Sequence, residues 1–504
     1  MELELNRTHL AGYEAVLDTE LFQEETLETI VPDACPDILR LVDTQGTALL
    51  KSKTAMDGRV TLTGTARLTV LYLPEGGEHL CSLEVNVPFS ISAEGKNVRS
   101  GCAVTACAWV AGADTRTVNP RKIMTRVEIA VRVKVFAESA VSLCAGIGAE
   151  EGTVEQLTQT VPVYCVCAVP EKQFSFEDNV AIPAGRPAAE ELLASRTEPV
   201  CVEAKLIGNK LIVKGEVAVR LLYRSSGGTD TAELILPFSQ IIEVTGAGED
   251  ATCAVETALL AADFTLGEDG RTVAVSMSML AQAVVRETRS VPLLADAYST
   301  CCQLLVERVP FEYDLYRTET VGRQSLRESI ESGLPIRSVI DAYCRIGRTE
   351  LTRQAGEAQL SAQVAVTVLC VTEDGEYAAV SRVLSVSCAV ELPEECGGRF
   401  HCRCGSLTAS PTADGVEVRA AFEFPCLGWK RVQTWAVRDV SVGESADNGR
   451  AERASVILRT LRDGERLWDV AKEYGAVIGD IVKASELENE QPCAGTLLLI
   501  PGKR

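Results

Sequence analysis

A stretch of strand-like alternation occurs three times in this chain, at a spacing that only whole domains use. Leu62-Thr63-Gly64-Thr65-Ala66-Arg67-Leu68-Thr69-Val70-Leu71-Tyr72 returns as Val213-Lys214-Gly215-Glu216-Val217-Ala218-Val219-Arg220-Leu221-Leu222-Tyr223. An eroded third copy reads Leu360-Ser361-Ala362-Gln363-Val364-Ala365-Val366-Thr367-Val368-Leu369-Cys370. Successive copies lie about 150 positions apart, longer than a solenoid unit of roughly 20–50 residues and as long as a domain. The 504 residues therefore divide into three related domains and a shorter C-terminal unit.

The copies share further marks. Val31-Pro32-Asp33-Ala34-Cys35-Pro36 matches Ile182-Pro183-Ala184-Gly185-Arg186-Pro187, and Pro335 holds the second proline's place in copy three. Each of these prolines precedes a short apolar run: Ile38 to Val42, Ala189 to Leu193, and Val339-Ile340. Proline suits the first turn of a helix, so a short helix is predicted after each. The central block then alternates with period two. Val60, Leu62, Gly64, Ala66, Leu68, Val70 and Tyr72 fall on one face and the threonines on the other, as in a half-buried antiparallel strand. Turn signals follow at Pro74-Glu75-Gly76-Gly77, Ser225-Ser226-Gly227-Gly228 and Glu373-Asp374-Gly375, and each implies a hairpin. A last alternating strand closes each copy, around Val127–Val135, Val273–Met279 and Val416–Phe424.

Gly443 to Ala454 has no apolar period and reads as a linker. Beyond it, Val456 to Arg459 suits a strand and Asp463-Gly464 a turn. Leu467, Val470, Ala471 and Tyr474 then share one helix face, which Gly475 ends. Ile478, Ile481 and Val482 begin a second helix, and Gly495 to Pro501 is a final strand. The fold class is mainly β: three tandem sandwich-like repeat domains, each with a short helix, plus a small βααβ unit. Repeat 1 spans 1–165, repeat 2 spans 166–312, a degenerate repeat 3 spans 313–442, the linker is 443–454, and the tail is 455–504.

Composition narrows the function. A net charge of −22 disfavours non-specific binding to nucleic acid or anionic membrane. No run approaches the roughly 20 apolar residues of a membrane span, and the N-terminus lacks a secretory pattern, so a cytosolic protein is expected. The 19 cysteines include no Cys-x-x-Cys pair and read as core thiols of a reducing compartment. Only His9, His79 and His401 are available as histidine bases, and none sits in a recurrent motif, so no catalytic residue is assigned. Cys396, His401, Cys402 and Cys404 offer soft donors to zinc. Yet Cys402 and Cys404 also fit one face of a strand, and the other copies lack the cluster, so no metal or cofactor is assigned.

The tail resembles a LysM module in Asp463 to Gly475, in Ile481-Val482-Lys483-Ala484-Ser485, in Leu487 and in Gly495 to Pro501. That resemblance implies binding of N-acetylglucosamine-containing glycan such as peptidoglycan, between the first strand–helix loop and the loop before the last strand. It marks Asp463, Gly464, Glu465, Arg466, Leu467, Trp468, Leu487 and Asn489 as glycan- or protein-contacting residues. Arg466 and Ser485 depart from the family, which has Thr or Ser and Asn there; a bulky cation at Arg466 either fills the groove or offers it to a protein carboxylate. The repeated block resembles the SPOCS domain of spore coat and spore morphogenesis proteins, best in Phe174 to Asp178, Ile182 to Pro187 and Ile207 to Tyr223. Such repeats followed by one LysM resemble the SipL type of protein. The resemblance implies a non-enzymatic scaffold in the mother cell at the forespore surface. There it would help a SpoIVA-type morphogenetic ATPase encase the forespore and anchor the coat, each domain offering a separate contact surface. The alternative it leaves open is a binder of spore peptidoglycan acting through the LysM unit.

Overall fold

The computed structural model describes residues 3–150, 153–354, 357–443 and 455–502. Repeat 1 contains β1 (Glu4–Ile30), β2 (Ile38–Met56), β3 (Arg59–Pro74), β4 (Cys81–Glu94), β5 (Ala103–Asn119) and β6 (Lys122–Gly148). Strands β2-β3-β4 form a meander, while β1 and β5 flank β6 in a second sheet. Alternation makes the sandwich: Val60, Leu62, Leu68 and Val70 of β3 are fully buried and share one core with Val127, Ile129, Val131 and Val133 of β6. The expected hairpins and closing strands are all present.

Repeat 2 rebuilds this pattern with β7 (Val154–Ala168), β8 (Glu171–Ala181), β9 (Glu191–Ile207), β10 (Lys210–Ser225), β11 (Gly228–Glu243), β12 (Thr252–Leu266) and β13 (Thr272–Ser299). Here β7 and β8 together line β13 where a single β1 lines β6. Repeat 3 comprises β14 (Leu304–Glu331), β15 (Ile336–Gln354), β16 (Glu357–Thr372), β17 (Tyr377–Val390), β18 (Gly397–Phe400), β19 (Arg403–Thr412) and β20 (Gly415–Val442). Strand pairing thus assigns β7 to repeat 2, along the length of β13, and β14 to repeat 3, so the repeats change over before 165 and 312; a single bridge from Val166 of β7 to Tyr13 of β1 joins the outer sheets of repeats 1 and 2. The tail is β21 (Val456–Thr460), α1 (Leu467–Tyr474), α2 (Ile478–Ala484) and β22 (Leu497–Pro501), in the expected βααβ order. The linker at 443–454 lies outside the described residues except for Gly443.

The helix expected after each proline is replaced by a strand. Ile38 opens β2, Ile336 opens β15, and Glu191 opens β9 within the second apolar run. Tertiary pairing overrides the local signal: the Ile38 amide donates to the Pro120 carbonyl at 3.0 Å and the Glu75 amide to the Asp37 carbonyl at 2.9 Å. The prolines recur for another reason. The Tyr223 hydroxyl donates to the Pro187 carbonyl at 3.1 Å, and Tyr72 reaches Pro36 at 3.4 Å in the same way. Copy three has Cys370 at that place, bonded instead to its neighbouring strand at Ala378. Tyr223→Phe strands the Pro187 carbonyl, so urea denaturation is expected to show a loss of about 1 kcal/mol.

The three repeats do not stand apart; they close a ring. Leu71, Leu222 and Leu369 occupy the same place in β3, β10 and β16, and all three meet in one fully buried cluster. A second junction lies along the far halves of the long strands. Leu143, Leu293 and Ala436 share one cluster there, and Cys144, Leu294 and Val437 share the next. These far halves carry the same irregularity, a bulge one residue after Cys144, Leu294 and Val437. The arrangement is an internal trimer with an approximate threefold axis.

Polar groups seal all three seams. Between repeats 1 and 2, the buried Gln282 amide bonds both the amide and the carbonyl of Ala106, at 2.9 and 2.8 Å. Between repeats 1 and 3, the Trp109 indole donates to the Ile346 carbonyl at 2.8 Å, and Arg399 pairs with Asp18 at 2.8 Å. Between repeats 2 and 3, Gln159 donates to Thr434 at 2.8 Å.

Candidate interaction site

Two places concentrate functional chemistry: the ring axis and the tail. At the axis, Gln45, Arg196 and Tyr343 hold equivalent positions in β2, β9 and β15. The Arg196 guanidinium donates to Gln45 at 2.5 Å and to Asp341 at 2.7 Å, and lies 4.4 Å over the Tyr343 ring. Arg220 adds a second bond to Asp341 at 3.1 Å. The Tyr343 hydroxyl donates to Asp43 at 2.9 Å, and Arg345 bonds that hydroxyl at 3.1 Å. Burial raises Asp43 above its ordinary value, against the opposing pull of Arg345 and the Tyr343 bond. Thus each ionisable group here spends its charge on a neighbouring repeat.

A second buried set joins all three repeats. Lys134 pairs with Glu256 at 3.1 Å, close to Arg132 and His401. Burial opposes ionisation of Glu256, but Lys134 and Arg132 prevail and hold it below its usual value. Burial, with Arg132 and Lys134 beside it, holds His401 below the ordinary imidazole range and therefore neutral at pH 7. His401 is thereby directed to this seam. Cys396 and Cys402 are buried in the repeat 3 core, and the Cys404 thiol bonds Cys344 of β15. Among the described residues, no three of these side-chain types are placed to hold a metal. Cys301 and Cys493 are the exposed thiols.

In the tail, Gly464 takes a left-handed φ of 76° in the turn before α1, which lets the chain reverse after β21. Arg466 caps α1: its amide donates to the Asp469 carboxylate at 3.2 Å, and its guanidinium donates to the same carboxylate at 2.8 Å. Glu465 pairs with Arg459 at 2.6 Å. Leu467 and Trp468 are buried, and half-buried Leu487 packs against the same small core. Asp463, Gly464, Arg466 and Asn489 are exposed, and the Asn489 side chain accepts the Gln491 amide at 2.8 Å in a turn. Ser485 ties the last strand down, accepting the Leu499 amide at 2.8 Å. The structure therefore groups Leu467, Trp468 and Leu487 inside and leaves the other marked residues, except half-buried Glu465, at the surface.

Residues that sequence reasoning missed complete the Trp468 environment. Its indole donates to Asp296 at 3.0 Å, and Lys472 donates to the same carboxylate at 2.6 Å. The Tyr298 ring packs edge-on against Trp468 at 5.0 Å, and its hydroxyl donates to the Ala476 carbonyl at 2.7 Å. Burial works against the Asp296 charge, yet the Lys472 and Trp468 bonds hold the carboxyl below its ordinary value. Neither Asp296 nor Tyr298 belongs to the repeated block, so no recurrence marked them.

A family model described as SipL, SPOCS domain, matches residues 37–118 and 188–266. Two SPOCS segments in tandem are therefore present. Each covers one meander and the strand after it, β2 to β5 and β9 to β12. Repeat 3 folds alike outside the matched residues, with Ala362, Val386 and Cys370 where the matched copies have Gly, Phe and Tyr. No curated protein and no solved structure matches the chain. Among the described residues no helix is long and apolar enough to cross a membrane.

Proposed function

We propose that the chain is a non-enzymatic scaffold of endospore formation, working in the mother cell at the forespore surface. Its partner on this reading is a SpoIVA-type morphogenetic ATPase, which it helps to encase the forespore and anchor the coat. The SPOCS matches support the sporulation setting. The observation that carries the scaffold reading is how the buried charges are used: Asp341, Arg196, Asp43, Glu256 and Lys134 are bonded across seams between repeats. Such groups lock a body together, whereas a reacting centre directs them at a ligand. The tail supplies a second contact surface on the same chain, and two modest contacts joined in one molecule hold firmly to a polymeric layer.

Co-purification of the full-length chain from sporulating cells tests this, with purified peptidoglycan as a parallel bait. The expected result is recovery of a coat-layer ATPase and little retention on peptidoglycan. Retention on peptidoglycan without any ATPase would refute the scaffold and favour the glycan-binding reading.

A further inference from the structure

The positions after the long-strand bulges differ among the three repeats. Following the bulge come Gly146, Ile147 and Gly148 in repeat 1, Asp296, Ala297 and Tyr298 in repeat 2, and Asp439, Val440 and Ser441 in repeat 3. The middle residue of each set is buried in one axial cluster, so the framework is shared. Asp439 even reproduces the bond of Asp296 to the next amide, at 3.0 Å in both. Only repeat 2 combines the carboxylate with an aromatic ring.

We infer that Asp296 and Tyr298 form a built latch that fixes the C-terminal unit onto repeat 2, and that the Trp468–Lys472 face of α1 is a receptor for a carboxylate beside an aromatic side chain. The chemistry matches on both sides. Asp296 is nearly buried yet receives an indole N–H, a lysine ammonium and a backbone amide, which together replace its lost water. Tyr298 buries its ring in the core of the tail and satisfies its hydroxyl on Ala476, at the end of α1. Half-buried Leu157 of β7 packs beside it. A small unit with a small core thereby borrows apolar surface from the ring.

The consequence is geometric. Trp468 is spent on the chain's own repeat 2, and the outward face of β21 and β22, with exposed Val456, Leu458 and Leu497, is turned away from α1. The ring and the tail then present their surfaces as one rigid body, at a fixed distance, rather than as beads on a tether. This holds whether or not the chain serves at the spore surface.

Hydrogen exchange on the full-length chain tests the latch. Asp296→Ala is expected to lower protection of the 467–474 amides by roughly tenfold, the size of one lost charge-assisted hydrogen bond. The amides of β10 keep their protection, and small-angle scattering shows a larger radius of gyration. Exchanging the charges, Asp296→Lys with Lys472→Glu, is expected to recover part of the protection, since it restores the ion pair but leaves the Trp468 indole N–H without its acceptor. Unchanged protection in both Asp296→Ala and Tyr298→Ala overturns the inference. Should Asp296→Ala unfold the whole tail, the charge exchange decides: recovery supports the latch, and no recovery sinks it.

Discussion

Gly215→Ala is expected to cost about 2–3 kcal/mol, and Phe238→Val introduced with it is expected to cost far less than the two changes added together. A Cβ on Gly215 would sit 2.3 Å from the Phe238 ring and 2.4 Å from the Val200 carbonyl. Gly64 in repeat 1 is set identically, 2.3 Å from the Phe89 ring and from the Leu49 carbonyl. In both, the aromatic ring of the edge strand lies over the glycine directly opposite. Repeat 3 has changed both partners at once: Ala362 faces Val386. The smaller valine leaves room for the methyl that phenylalanine denies. The carbonyl clash is not relieved by shrinking the ring, so the double variant stays below the native stability. Urea unfolding of the four proteins measures the coupling, expected at about 1–2 kcal/mol. Strict additivity would show that the ring and the glycine are independent, and the explanation for the eroded third copy would fail.

The sandwiches were legible because their signal is local. Period-two alternation in β3, β10 and β16, followed by glycine turns, sorts inner from outer residues without knowledge of the partner sheet. The tail was legible for the same reason: the apolar face of Leu467, Val470 and Ala471 is the face that is buried. The expected helices failed where two local rules disagree. Ile38-Leu39-Arg40-Leu41-Val42 after a proline fits a helix start, and it fits an edge strand whose amides are taken by Pro120 and neighbours. The ring left no pattern to read. Gln45, Arg196 and Tyr343 share one position but no chemistry, and their meaning appears only when they touch. Asp296 and Tyr298 were invisible for a related reason: a latch that must choose one repeat of three has to lack copies.

Asp341 is where the ring is most exposed to a single change. Its side chain is 1% exposed and receives Arg196 at 2.7 Å and Arg220 at 3.1 Å, both from repeat 2. Removing the carboxylate takes away the partner that Arg196 and Arg220 share and leaves Arg220 with Glu233 alone, at 3.3 Å. Loss of one partner from a fully buried pair costs about 3–5 kcal/mol. Water still reaches these arginines, at 20% and 35% exposure, so Asp341→Ala is expected near the lower bound, about 2–3 kcal/mol. Asp341→Asn keeps an acceptor without the charge and is expected to fall between the two. The loss concerns the seam between repeats 2 and 3, so cooperativity is affected along with stability. Tryptophan fluorescence reads this, because Trp429 and Trp435 lie in β20 of repeat 3. In the native chain that signal and the far-ultraviolet dichroism are expected to change together in urea. In Asp341→Ala the fluorescence transition moves to lower urea ahead of the dichroism, as repeat 3 leaves the ring first. Coincident transitions at the native midpoint would mean that the axial charges do not hold the repeats together.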